Sequence, residues 1–311
     1  MVSTSLNIDQ AVEKIKELPT LPDVVFKVNE VVNDPNTSAV DLENVISHDQ
    51  AIAAKVLKLV NSAFYGLPGR VDTLARAIPL LGFSTVRNLV LSVSIFDLVT
   101  IGGFDMKDFW RHSFATSVAA STIAKADGLP DAESLSLAGL LHDIGKVLLL
   151  KSFTNEYRAV VDMMNKKQIT FLQAERSLYQ TDHAEVGAAI AEKWGFPPNI
   201  TAAIGYHHNP DMAGDMSDFT SIVASANVLC TINEDAYLIE GNQETAAESV
   251  EPLHPLSEKA YRLILRELDK QMQFFENFID RMEVFRRPSP LLLEEERKAK
   301  GESSIWKLPG E

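Results

Sequence analysis

Five histidines and one aspartate between positions 112 and 208 have the types and spacing of a metal centre. They are His112 in Trp110-Arg-His-Ser113, the doublet His142-Asp143 in Leu140-Leu-His-Asp-Ile-Gly-Lys146, His183 in Thr181-Asp-His-Ala184, and the pair His207-His208. Neutral imidazoles and a carboxylate suit borderline and hard divalent ions, here Fe, Mn, Zn or Ni. A carboxylate shared between ions lets a centre hold a pair about 4 Å apart, and Asp143 is the residue placed to bridge. One or two such ions would activate water for in-line attack at phosphorus, while Lys146, a turn beyond Asp143, would neutralise a phosphate oxygen. Asp108, four residues before His112, shares its helical face. It either converges on the same point or is a first-turn acid favoured by the helix dipole.

Neighbours on a helix point about 100° apart, so His142 and Asp143 cannot chelate face-on by themselves. Helices carrying His112, His183 and His207-His208 must approach from both sides. The periodicity supplies such helices: almost every segment reads at helical period, no alternating stretch is long enough for a sheet, and the fold class is all-α. Ile8, Val12, Ile15 and Leu18 form one stripe, and Asp23 caps a helix burying Val24, Val28, Val31 and Val32. Asp41 opens the next helix and Gln50 another, which Gly66-Leu-Pro-Gly69 ends; Leu74 to Leu81 and Thr85 to Leu98 follow. His48 reads as a surface or cap residue. Asp105 is the N-cap of the helix bearing His112, and Asp131 caps the helix holding the doublet. Asp182 with Glu185 makes a capping box before His183, Pro197 and Pro198 start the helix ending in His207-His208, and an apolar helix runs from about Phe219 to Leu229. A strongly amphipathic helix from about Leu256 to Phe285, with Leu263, Ile264, Leu268, Phe274, Phe275 and Phe278, needs a surface to bury against, on this chain or on a second copy. The resulting division is 1–100, an N-terminal helical part; 101–230, the metal-site part; 231–285, an acidic loop and amphipathic helix; and 286–311, a tail.

With 311 residues, 46% of them hydrophobic, the chain can bury a sizeable core. Its 43 acidic against 29 basic residues, net −14, argue against an electrostatic grip on nucleic acid or an anionic membrane. Between Trp194 and Glu258 there is no lysine or arginine while ten acidic residues occur, which is either a solvated surface or a field that draws cations to His207-His208. Cys230 is the single cysteine, excluding an internal disulfide and fitting a reducing compartment. The N-terminus lacks the basic and apolar regions of a signal peptide and no apolar run reaches a membrane span, so a cytoplasmic location is expected.

Leu140-Leu-His-Asp-Ile-Gly-Lys146 resembles the signature of the HD phosphohydrolase superfamily. The set Leu18-Pro-Thr-Leu-Pro22, Asp34-Pro35, Ile46-Ser-His-Asp-Gln50, Lys55 to Gly66, Ala77-Ile-Pro-Leu-Leu-Gly82 and Val86-Arg-Asn-Leu-Val90 is similar to the HDOD subfamily over roughly residues 14 to 230. The resemblance implies an HD-like helical domain packed with an N-terminal HDOD-type helical bundle, in a bacterial signalling or regulatory protein. It implies a first-ion set of His112, His142 and Asp143, with Asn227 standing where the superfamily has an aspartate. It also implies a second-ion set like that of HD-GYP phosphodiesterases, met by His183, His207 and His208, with Lys146 and Asp108 having counterparts there. Neutral Asn227 is expected to weaken the first position while the second, on Asp143, His183, His207 and His208, persists. His207-His208 is followed by Asn-Pro-Asp rather than by Glu and a Gly-Tyr-Pro element, which argues against cyclic dinucleotide hydrolysis. Two readings follow: a regulatory protein with a metal-binding pocket and little or no hydrolase activity, acting through a signalling partner or small ligand and forming a homodimer, or a metal-dependent phosphohydrolase.

Overall fold

A computed structural model describes residues 11–13, 23–61, 70–98, 107–129, 131–167, 169–233 and 254–281, and among them every regular element is helical. The first five described helices form an N-terminal layer. Helix α1 (Asp23–Asn33) buries Val24, Val25 and Val28, and α2 (Ala39–Ser47) buries Leu42 and Ile46. The α2 helix opens two residues before Asp41: Ser38 is its N-cap, and Asp41 closes a reciprocal capping box with it. Helix α3 (Gln50–Val60) starts on Asp49, whose carboxylate accepts from the amides of Ala51 and Ile52. Helix α4 (Leu74–Leu81) is capped by Thr73, and α5 (Phe83–Leu98) follows Gly82, whose φ of 85° turns the chain between them. Helix α5 packs on α1 and α3. His48 is exposed at the end of α2, its Nδ1 bonded to Asn44 O, a cap as expected.

The second group surrounds α6 (Lys107–Ala126), which packs on α7 (Ala132–Leu141), α13 (Ser217–Asn233) and α14 (Glu258–Arg281). Between α7 and α13 come α8 (Ile144–Ser152), α9 (Thr154–Lys167), α10 (Phe171–Leu178), α11 (His183–Lys193), α12 (Pro198–Tyr206) and a 3-10 segment, Pro210–Met216, that the periodicity did not predict. Helix α14 buries Ala260 and Ile264. Ahead of it His254 Nε2 lies 2.7 Å from Asp127 Oδ2, beyond the end of α6, and His254 N donates to Ser225 Oγ of α13 at 2.8 Å. One hydrophobic core runs through both groups, from Val28, Ile46 and Val86 to Leu137, Ile190, Ile204 and Ile264.

Three local expectations need correction. His142 and Asp143 do not lie within a helix: α7 ends at Leu141 and α8 begins at Ile144, so the doublet is the junction. Asp131 precedes α7 without a side-chain cap bond. Asp182 caps α11 through the amides of Ala184 and Glu185, but Glu185 closes no box, because its carboxylate accepts from Thr181 Oγ1 at 2.9 Å. The Gly66–Gly69 turn, Asp105, the acidic loop and the tail lie outside the described residues, and among those described no helix is long and apolar enough to cross a membrane.

Candidate metal centre

The helix junction is what aims the doublet. Ending α7 and restarting the chain as α8 lets His142 and Asp143 both project toward the helix ends that carry the other histidines. Two glycines then let the backbones meet. A Cβ on Gly145 would lie 1.9 Å from His183 O, and one on Gly187 would lie 2.8 Å from the Ile204 side chain and 3.3 Å from Gly145 N. No side chain fits at the Gly145 crossing, so α8 touches the start of α11 backbone to backbone, and Asp143 is brought to His183.

Asp143 is fully buried and its two oxygens face different groups. Around Oδ2 lie Lys146 Nζ at 2.8 Å, His142 Nε2 at 3.3 Å and His112 Nε2 at 4.0 Å. Around Oδ1 lie His183 Nε2 at 3.3 Å and His207 Nε2 at 3.6 Å, and His183 Nε2 is 2.9 Å from His208 Nε2. Ligand atoms of His112, His142 and Asp143 lie within 4.8 Å of one another, as do those of His183, His207 and His208. All six side chains are thus assembled, in two groups of three. His112, His142, Asp143, His183 and His207 are buried; His208 is half-buried and forms the edge of the centre.

Three of the imidazoles are locked from behind. His142 Nδ1 bonds Gly139 O at 2.8 Å, His207 Nδ1 bonds Ile204 O at 2.9 Å, and His183 Nδ1 bonds Glu175 Oε2 at 2.6 Å. Each acceptor takes the Nδ1 proton and turns Nε2 inward, the edge of the ring that a metal ligand presents. Inside, His142 Nε2, His207 Nε2 and Asp143 Oδ1 are buried and make no hydrogen bond, an arrangement that is costly unless a cation completes it. The donor set therefore fits a divalent ion.

The electrostatics agree. Burial works against the Asp143 carboxylate, but His142 and Lys146 outweigh it and hold Asp143 well below the usual range. Burial, with neighbouring imidazoles adding to it, pushes His207 and His208 well down, so both are neutral at pH 7. Burial pulls on His183 in the same direction, yet the Glu175 carboxylate prevails and it is pushed up to about 10.

Asn227, on α13, meets His112: its Oδ1 is 2.9 Å from His112 Nε2, while Asn227 O accepts from Thr231 Oγ1 at 2.9 Å. Asp108 stands half-buried in the first turn of α6 and belongs to neither ligand group, in keeping with a first-turn acid.

A family model for the HDOD domain matches residues 18–210. The chain belongs to the HDOD family. An HDOD domain protein of unknown function from Geobacter sulfurreducens shares the fold with a TM-score of 0.70 at 26% identity, over 90% of this chain and all of that one. A Shewanella amazonensis protein provisionally described as a phosphohydrolase superposes with a TM-score of 0.63 at 26% identity, over 84% of this chain and 97% of that one. An uncharacterised Treponema pallidum protein is 28% identical over 218 residues, which is 70% of this HDOD chain and 42% of the treponemal one. The chain thus spans under half the length of that curated relative. Asn227 lies beyond the matched HDOD segment, on the helix that follows it.

Sequence reasoning missed Glu175. It is fully buried, takes both the Nδ1–H and the backbone N–H of His183 (3.1 Å) on Oε2, and takes the Tyr157 hydroxyl on Oε1. A signal was present: Phe171, Ala174 and Glu175 share the buried face of α10, so a charged residue sits on an apolar stripe.

Proposed function

We propose that this HDOD protein is a signalling or regulatory component whose HD-like pocket holds a divalent transition-metal ion on His183, His207, His208 and Asp143 and hydrolyses phosphate esters little or not at all. The observation that carries this reading is the Asn227 amide on His112. Asn227 supplies no negative charge, and with Oδ1 facing the imidazole, His112 keeps its proton on Nε2, the atom that would otherwise meet an ion. A bound ion would supply Lewis-acid polarisation of a phosphoryl oxygen, and two ions would clamp both sides of the transferred group. The chain's own residues support one well-built position beside one compromised position.

The alternative, a working phosphohydrolase, draws support from the intact second set and from the Shewanella protein's description. Metal-supplemented protein assayed against phosphomonoesters, nucleotides and cyclic dinucleotides separates the two. No turnover above the Asp143→Ala background is the expected result, and turnover abolished by Asp143→Ala would establish the hydrolase. Asn227→Asp restores a carboxylate to the first position and should raise metal stoichiometry measured by elemental analysis. The acidic surface disfavours nucleic acid and anionic membranes as partners and leaves a signalling protein or a small ligand, with α14 the face on which a second copy would pair.

A further inference from the structure

Helices α9 and α10 contribute none of the six candidate ligands, yet they close on the centre from behind His183. Glu175 of α10 is fully buried, and its two oxygens face different partners. His183 Nδ1–H and N–H donate to Oε2 at 2.6 and 3.1 Å, and the hydroxyl of Tyr157, on α9 and 1% exposed, donates to Oε1. Among the described residues no lysine or arginine pairs with this carboxylate, so these donors are what offset its burial. The next residue ties the same two helices together. Arg176 Nε and Nη2 each lie 2.9 Å from Asp182 Oδ2, and Asp182 caps α11. Helix α10 is thereby fixed against both Asp182 and His183.

The torsion that turns a glutamate's carboxylate is broad, so one bonded oxygen leaves its plane free to swing while a second fixes it. Tyr157 supplies the second. Burial, with the Glu175 carboxylate beside it, holds the phenol well above its usual range, so the hydroxyl keeps its proton and stays a donor. The Tyr157 ring lies 5.5 Å from that of Phe171, which meets His183 edge-on at 6.4 Å, so removing the hydroxyl alone leaves the ring packing in place. We propose that Tyr157 is a positioning residue for the ion position built on His183: its hydroxyl sets the Glu175 carboxylate, the carboxylate sets the imidazole, and a bound ion in turn tightens the α9–α10 pair. This rests on the metal reading given above. The last step is required by linkage, since whatever the hydroxyl bond adds to ion binding, ion binding adds to that bond. Helices without a ligand of their own then share in the centre.

Full-length protein titrated with Mn2+ by calorimetry provides the test, comparing the natural chain, Tyr157→Phe, Glu175→Leu and the double variant. Tyr157→Phe should weaken binding about fivefold or more, as outer partners of ligating histidines do. In the Glu175→Leu background, where no carboxylate remains to be set, the same exchange should change affinity by less than about twofold. Tyr261→Phe, which removes a hydroxyl on α14, should bind as the natural chain does. Tyr157→Phe binding Mn2+ like the natural chain, or weakening it equally in both backgrounds as mere packing would, overturns the proposal and leaves the metal reading standing. No Mn2+ bound by the natural protein overturns both. Hydrogen exchange on the natural protein decides the matter even where Tyr157→Phe does not fold. Mn2+ should slow the amides of α9 and α10 more than those of α2 and α3, which hold no candidate ligand, and equal slowing would sink the proposal.

Discussion

His183 illustrates how much of a candidate metal ligand's behaviour is set by residues outside the candidate centre. Glu175 grips both its Nδ1–H and its backbone N–H, and Tyr157 holds the other carboxylate oxygen. Carboxylate partners of this kind orient the ring and raise its basicity, and their loss typically costs about 10–100-fold in metal affinity. Glu175→Gln should weaken calorimetric metal affinity in that range while Glu185→Gln, at the solvent side of α11, leaves it unchanged; equal affinities would remove Glu175 from this role. Because His183 is pushed up to about 10 before metal binds, it carries a proton at neutral pH that an ion must displace. Metal uptake should therefore release about one proton below that pH and strengthen as pH rises, which calorimetry in buffers of different ionisation enthalpy will detect. The ligands themselves were legible, since histidines and an HD doublet announce themselves by type and spacing. Glu175 was only half legible: a charge on an apolar stripe signals burial, but not that the turn after α10 brings the carboxylate to His183.

At the scale of elements, the centre is made by where helices stop. His142 and Asp143 fill the joint between α7 and α8, His183 is the first residue of α11, and His207 is the cap of α12. The lengths and faces of most helices follow from apolar periodicity and capping residues, and the all-α class was readable for that reason. The joint was not, because the leucines, isoleucine and valine on both sides of His142-Asp143, from Leu140 to Leu150, read as one continuous helix. The 3-10 segment escaped as well: it turns on Gly214, with φ of 57°, in a stretch without periodic apolar residues. Gly145 is the element-scale residue with the sharpest consequence. Adding one methyl group there forces α8 away from α11, and overpacking of this kind costs about 1–3 kcal/mol or more. Gly145→Ala should lower the denaturant midpoint and abolish tight metal binding. Gly205→Ala, whose new Cβ would meet only the Ala188 side chain at 3.0 Å, should do much less. Equal effects from the two would show that the crossing is not special.

For the whole molecule, the candidate ligands bring together parts of the chain that are far apart in sequence: α6, the α7–α8 joint, α11 and the turn after α12. An ion bound by the folded state alone stabilises it by mass action, by about 2.7 kcal/mol when free metal is a hundred times Kd. Chelation should thus lower the thermal midpoint by several degrees, and a midpoint indifferent to chelator would argue against a metal that spans these helices. Family membership was legible from the N-terminal motifs and the doublet together. The continuity of the core was less so: the break near residue 100 reads as a boundary, yet Val86 and Val90 belong to the same buried cluster as Leu137 and Ile190.

The backbone contact at Gly145 has a consequence for how such a pocket can change over time. Asp143 and His183 are set 3.3 Å apart by two main chains in contact, so their spacing is inherited from the scaffold and not from an ion. Exchanging a side chain at the periphery would then alter what the cavity can hold without altering its form. A chemistry can be lost from this architecture while a preformed receptacle survives for selection to put to other use.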